Sequence, residues 1–254
     1  MAEKKSGTDP FPSDSVLGSL GETQITRRGI SWLPVTQLVA WGIFAKASRQ
    51  RNPERPWLRA GLEGFCQMVV MLGSEWGHNL AHLSASHLIG KPMDQFRIQF
   101  GMPRCVYFEL DSQNVAPREH LARALGGPLF NLVVLPFAWA AWRLTKNGSI
   151  AGMTARTAFD TNLFLSSVSL LPIPGIDGGP ILKWSLVEGG HTPQEVDEVV
   201  RKVNGPLALL LGLFSSWAFL KKKILLGLFS LMLGGTSLSV FMGWLEEEEI
   251  SKKM

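Results

Sequence analysis

Three long stretches of this chain carry no charged residue. Ala124–Trp142 is a run of 19 bracketed by Arg123 and Arg143, Val203–Leu220 is one of 18 closed by Lys221, Lys222 and Lys223, and Ile224–Leu245 is one of 22 closed by Glu246. Each is near the roughly 20 apolar residues that a helix needs to cross the hydrocarbon core of a bilayer. Two partial candidates join them. Gly29–Ala45 holds 17 uncharged residues, several of them polar, and Thr161–Ile176 follows Asp160 and extends back toward Thr157. A further stretch, 61–90, is mostly apolar yet contains Glu63, Glu75, His78, His82 and His87. A 28.0 kDa globule has too little interior to bury so many apolar helices. Helices also satisfy their backbone groups without water. The pattern therefore predicts an all-α integral membrane protein with five or six transmembrane spans, multi-pass and resident in the cell membrane. Residues 1–28 are polar, rich in Gly, Ser, Pro and charge, and lack the apolar stretch of a signal peptide. They read as a flexible N-terminal tail ahead of a polytopic domain over 29–246, with a charged tail over 247–254.

Composition refines this picture. The 18% of charged residues is low beside the roughly 25% of an ordinary soluble domain. The net charge of +4 is spread along the borders of the apolar runs, which excludes a nucleic-acid partner and leaves the lipid bilayer as the surroundings. Cys66 and Cys105 form no CxxC pair, so neither a disulfide framework nor a thiolate metal cage is available. Of the nine Trp residues, Trp32, Trp57, Trp142, Trp217 and Trp244 lie near the ends of proposed spans, where aromatic rings anchor at the interface. Trp76 lies inside one.

Ionisable side chains within a span are costly and mark candidate functional sites. Glu75, His78 and His82 fall on one helical stripe, and two His at i, i+4 can share a metal ion. The competing reading is a set of polar residues that hydrogen-bond helices together. A second constellation is Leu170–Gly179, LLPIPGIDGG, where Pro172 and Pro174 break the helix and Gly178 and Gly179 allow close backbone approach. There Asp177 closes an apolar run, and a broken helix can present such a carboxylate to a metal. The third is Gly127–Asn131, GPLFN, which reads as a Gly-Pro start to the 124–142 helix with an intramembrane Asn.

In this order the three segments resemble the site-2 protease family of intramembrane zinc metalloproteases. Ser74-Glu75-Trp76-Gly77-His78 stands where that family carries HExxH, GPLFN where it has a GPxxN-type segment, and Ser169–Gly178 where it has NxxPxPxLDG. The resemblance covers roughly residues 60–205. It implies a three-helix membrane core with accessory helices, and hydrolysis of peptide bonds in or near the membrane segment of a protein substrate. It further implies that His78 and Asp177 are zinc ligands and Glu75 the general base. Ser74, Gly127, Pro128, Asn131, Ser169, Pro172, Pro174 and Gly178 would then shape the core and the substrate groove.

Two departures stand out. Ser74 replaces the first His, and Ser169 replaces an Asn. A hydroxyl is a poor zinc ligand beside imidazole. His82 offers a replacement, one turn beyond His78. A metal held by His78 and His82 moves about 6 Å along the helix axis, which leaves Glu75 roughly 7–8 Å from its level before side-chain lean is counted. Two readings follow: an active zinc metalloprotease with an altered ligand set, and a catalytically inactive relative that uses the fold to bind or regulate membrane proteins. A carrier built on the same Glu/His stripe fits less well, because the sequence lacks the internal repeat that many carriers show.

Overall fold

A computed structural model describes residues 14–29, 33–108, 112 and 114–245. The described residues run as β1 (Asp14–Leu20), β2 (Thr23–Arg28), α1 (Val35–Arg51), α2 (Trp57–Leu88), β3 (Gln95–Gln99), β4 (Met102–Val106), α3 (Pro117–Leu144), α4 (Ile150–Ser169), α5 (Gly178–Glu188), α6 (Pro193–Leu220) and α7 (Ile224–Phe241).

The strands correct the all-α expectation. Residues 14–28 are a β-hairpin, while residues 1–13 and the tail over 247–254 lie outside the described residues. The four strands form one sheet in the order β1-β2-β3-β4. β1 pairs antiparallel with β2 through the two-residue turn Gly21-Glu22, with Gly21 at φ +58°. β3 and β4 are joined by Phe100-Gly101, both at positive φ, as a tight hairpin requires. β2 and β3 run parallel, Gln24 opposite Gln95, a pairing that needs a long crossover. The helices α1 and α2 supply it. The turn signal at Gly21-Glu22 was in the sequence, but its Gly, Ser and charge resemble the composition of a tail.

Helix ends also differ from the charge boundaries. α1 begins six residues after Gly29, at Val35, and residues 30–32 lie outside the described residues. α3 begins at Pro117, so Gly127-Pro128 sits inside a helix and does not open one. Its start is set by Pro at the first helical position and by Glu119, whose carboxylate accepts from Ala116 N–H at 2.8 Å. α4 starts at Ile150 and ends at Ser169, capped by Ser149, whose Oγ accepts from Gly152 N–H at 3.0 Å. It carries Arg156 and Asp160 as an i, i+4 pair at 3.5 Å. Among the described residues, three helices are long and apolar enough to cross a membrane: Pro117–Leu144, Gln194–Leu220 and Ile224–Phe241.

The chain divides into two units, Met1–Ser112 with Leu125–Ser167, and Gln113–Ala124 with Val168–Met254. In the first, Leu83, Met93 and Phe96 form a core against which Trp76, Cys105 and Tyr107 pack, joining α2 to the sheet. Glu63, fully buried, pairs with Arg55 and with Arg51 (2.9 Å), and Arg55 also donates to Ser48 Oγ at 2.8 Å. These bonds fasten α1 to the start of α2. In the second unit, Val196, Val200 and Val240 form the core. Buried Asn204 donates to Pro172 O and Val200 O, both at 2.8 Å, and accepts from Ser237 Oγ at 2.7 Å. One amide thus ties α6, α7 and the Pro172 turn together.

Candidate functional site

The histidines are arranged by α2. His78 and His82, both buried, stand one turn apart with their Nε2 atoms 3.1 Å from each other and their rings edge to face at 4.8 Å. α3 crosses them closely because it carries glycine where a side chain would not fit. A Cβ on Gly126 would lie 2.8 Å from Ala81 O and 2.9 Å from His82 Cα, and one on Gly127 would overlap the Nε2 atoms of both His78 and His82. A Cβ on Gly77 would in turn overlap the ring of Phe130. Close helix approach through small residues is how helices pack tightly where lipid provides no hydrophobic drive. Pro128, next to the second glycine, is fully buried.

The crossing also places two polar partners. Gly127 N–H donates to His82 Nδ1 at 3.3 Å, and the Asn131 side-chain amide lies 3.0 Å from His78 Nδ1. Asn131 is fully buried, and its Oδ1 has no hydrogen-bond partner.

The spacing of the two rings suits a zinc ion. Nitrogen ligands 2.0–2.1 Å from a tetrahedral zinc are about 3.3 Å apart, near the 3.1 Å between the two Nε2 atoms. The missing Cβ of Gly127 is what lets both rings lie against α3 with that spacing.

Ser74 has a different role. Its hydroxyl donates to Val70 O at 3.0 Å and accepts from Asn162 Nδ2 at 2.9 Å, so it joins α2 to α4. Asn162 is 1% exposed and also donates to Ala158 O at 2.8 Å. Sequence reasoning missed Asn162. The signal was a polar stripe in α4, Asn162, Ser166 and Ser169, at helical spacing in an apolar run.

Glu75 is half-buried and lines a cavity of about 300 Å³ with Phe44, Met71, Thr157, Asp160 and Phe164. It therefore opens toward α1 and α4, while the histidine pair faces α3. Trp76 points to the sheet: its indole N–H donates to Gly101 O at 3.1 Å and its ring meets Phe96 edge-on at 6.1 Å. His87, outside the stripe, lies 3.0 Å from Thr23 Oγ1 and holds the start of β2.

The remaining sequence-derived positions lie in the second unit. α4 ends at Ser169, which is buried, and the chain turns through Pro172, Ile173 and Pro174 to Gly175 at φ +84°. Asp177 stands at the head of α5, and its carboxylate does not cap that helix. Gly178 is required there, because a Cβ would overlap the carbonyls of Leu170 and Leu171. His120, on the first turn of α3, stacks flat on Trp184 with ring centroids 3.8 Å apart.

No family model matches the sequence. A stretch of 90 residues is 34% identical to a protein of Methanocaldococcus jannaschii named as a zinc metalloprotease, covering 35% of this chain and 46% of that protein. The chain thus spans about half the length of this curated relative. The structure superposes on that of a site-2 protease from the same organism with a TM-score of 0.51 at 15% identity, over 90% of this chain and 95% of the other. The fold is site-2-protease-like.

Proposed function

We propose that this site-2-protease-like chain is an intramembrane zinc metalloprotease with an altered ligand set. The observation that supports this most is the 3.1 Å spacing of the two Nε2 atoms, close to that of two nitrogens on one tetrahedral zinc. In this reading His78 and His82 are two ligands, with His82 in place of the histidine lost at position 74. Asp177 is the third, by the resemblance. Zinc held there supplies a Lewis acid that polarises the scissile carbonyl and a water acidified to near neutrality. In this reading the Glu75 carboxylate would take the proton of the attacking water and return it to the leaving amine, which requires it to turn from the cavity at α1 and α4 toward the histidines. The mostly apolar cavity at Glu75, with the Thr157 and Thr161 side chains on its wall, suits an extended segment of a membrane-protein substrate. In this reading α1, α2 and α4 also cross the bilayer and, counted with the three more apolar helices, make six spans and a multi-pass protein of the cell membrane.

The competing reading is an inactive relative that binds or regulates membrane proteins. Two hydrogen bonds favour it: Asn162 occupies the Ser74 hydroxyl, and Gly127 N–H points at the His82 nitrogen that must carry a proton when the other binds metal. Metal content separates the two readings. Full-length protein purified gently in detergent should contain about one zinc per chain, lost in His78→Ala and His82→Ala and retained in Ser74→Ala. Metal-free wild-type protein that takes up no zinc on titration would sink the protease.

A further inference from the structure

We propose that Asn131 is a positioning residue: it fixes His78 as the tautomer with its proton on Nδ1 and the lone pair on Nε2. This rests on the metal-site reading only in the use made of that lone pair. The inference follows from a chain of hydrogen bonds whose direction is set at one end. Gly127 N–H is a backbone donor and cannot accept, so His82 Nδ1, 3.3 Å away, is an acceptor. A neutral His82 then carries its proton on Nε2 and donates to His78 Nε2, 3.1 Å away. His78 in turn carries its proton on Nδ1, and the group 3.0 Å from that nitrogen has to accept. Of the two ends of the Asn131 amide only Oδ1 accepts, and it is the buried oxygen otherwise left without a partner. A half-turn of the amide about its last bond places it on Nδ1.

The consequence is an asymmetry between the two histidines. His78 is held ready to ligate through Nε2 before any metal arrives. His82 is held in the wrong tautomer, and it must move its proton to Nδ1 and give up the Gly127 bond when metal binds. Histidine ligands commonly owe their orientation to such a partner, whose loss lowers metal affinity about 10–100-fold.

The test uses the full chain in detergent, with ¹⁵N-labelled histidine, observed by NMR at a pH where both imidazoles are neutral. Metal-free wild-type protein should show His78 protonated on Nδ1 and His82 on Nε2, and zinc should convert His82 alone. Asn131→Leu should leave His78 without a fixed tautomer and weaken zinc binding 10–100-fold. Asn131→Asp, whose ionised carboxylate can only accept, should restore both at a pH where that carboxyl is ionised, which a merely space-filling role does not predict. The proposal is overturned by a wild-type His78 protonated on Nε2, or by an unchanged His78 tautomer in Asn131→Leu. If that variant does not fold, the wild-type spectrum and Asn131→Asp still decide. A wild-type chain that binds no zinc, while His78 still shows the Nδ1 proton and loses it in the Leu variant, defeats the protease reading and upholds this one.

Discussion

Gly127 shows how much a single position can decide. The ring nitrogens of His78 and His82 come so near that a Cβ on it would overlap both, and its N–H is the donor that orders the pair. Gly127→Ala should force the rings or the helices apart, at about 1–3 kcal/mol of stability for an overfilled interior. Zinc retention and thermal unfolding in detergent measure both effects, and an Ala variant with wild-type zinc affinity would show that the rings do not need this space. Ser74 poses the converse problem. Replacing it by His returns the residue type that the family motif carries, yet the Asn162 amide stands 2.9 Å from its hydroxyl, where a larger ring would extend. We expect Ser74→His alone to gain little zinc affinity and Ser74→His/Asn162→Ala to gain markedly more. Equal affinities in competitive titration would mean that Asn162 does not guard the position. The i, i+4 spacing of the histidines and the glycine were legible as residue types at fixed intervals. Asn162 was not, because a hydrogen bond between residues 88 apart in sequence leaves no local trace.

At the scale of elements, hydropathy located the apolar segments but not their ends. Charge boundaries mark where a helix stops being apolar, whereas caps mark where it stops being a helix. α3 runs back to Pro117 through Arg118, Glu119 and Arg123, because Pro117 and Glu119 form a good start, and it continues with Pro128 and Pro136 inside it to Leu144. The sheet was less legible still. Its strands are 5–7 residues long, and the β2–β3 pairing joins positions separated by all of α1 and α2. Two contacts hold this arrangement and can be tested. Trp76→Phe removes the indole N–H that binds Gly101 O while keeping most of the ring's packing. It should cost about 0.5–1.5 kcal/mol, with faster amide exchange confined to β3 and β4. Uniform acceleration across α2 as well would show that Trp76 supports the helix and not the hairpin. Arg55→Leu leaves the buried Glu63 with Arg51 as its remaining ion-pair partner. Removing one partner of a buried ion pair costs about 3–5 kcal/mol, and the residual pair should hold the loss to the lower end. Thermal unfolding measures the loss, and Glu63→Gln in the same background should recover part of it.

For the whole molecule, the two readings differ in what remains when the chemistry is removed. Sequence pattern was enough to reach a site-2-protease-like fold with helices long and apolar enough to cross a membrane, because apolar runs and broken-helix motifs are properties of short segments. It could not decide activity, which depends on whether a carboxylate and two imidazoles from one helix serve a common ion. The fold places Glu75 on a cavity toward α1 and α4 and the imidazoles toward α3, so base and ligands meet different neighbours along the same helix. Glu75→Gln keeps the shape and removes the proton acceptor. In an active enzyme it should leave zinc content unchanged and abolish cleavage of a membrane-protein substrate reconstituted with the chain in vesicles. Asp177→Asn should instead lower zinc affinity, with cleavage falling in parallel and recovering in part at high zinc. The two variants therefore separate along different axes if they serve one centre: one loses turnover at full metal occupancy, the other loses occupancy. In an inactive binding protein neither substitution changes metal content, because none is held, and capture of the same membrane protein continues in both. An Asp177→Asn chain that keeps wild-type zinc affinity would remove that residue from the ligand set, and with only His78 and His82 left the case for a protease would fail.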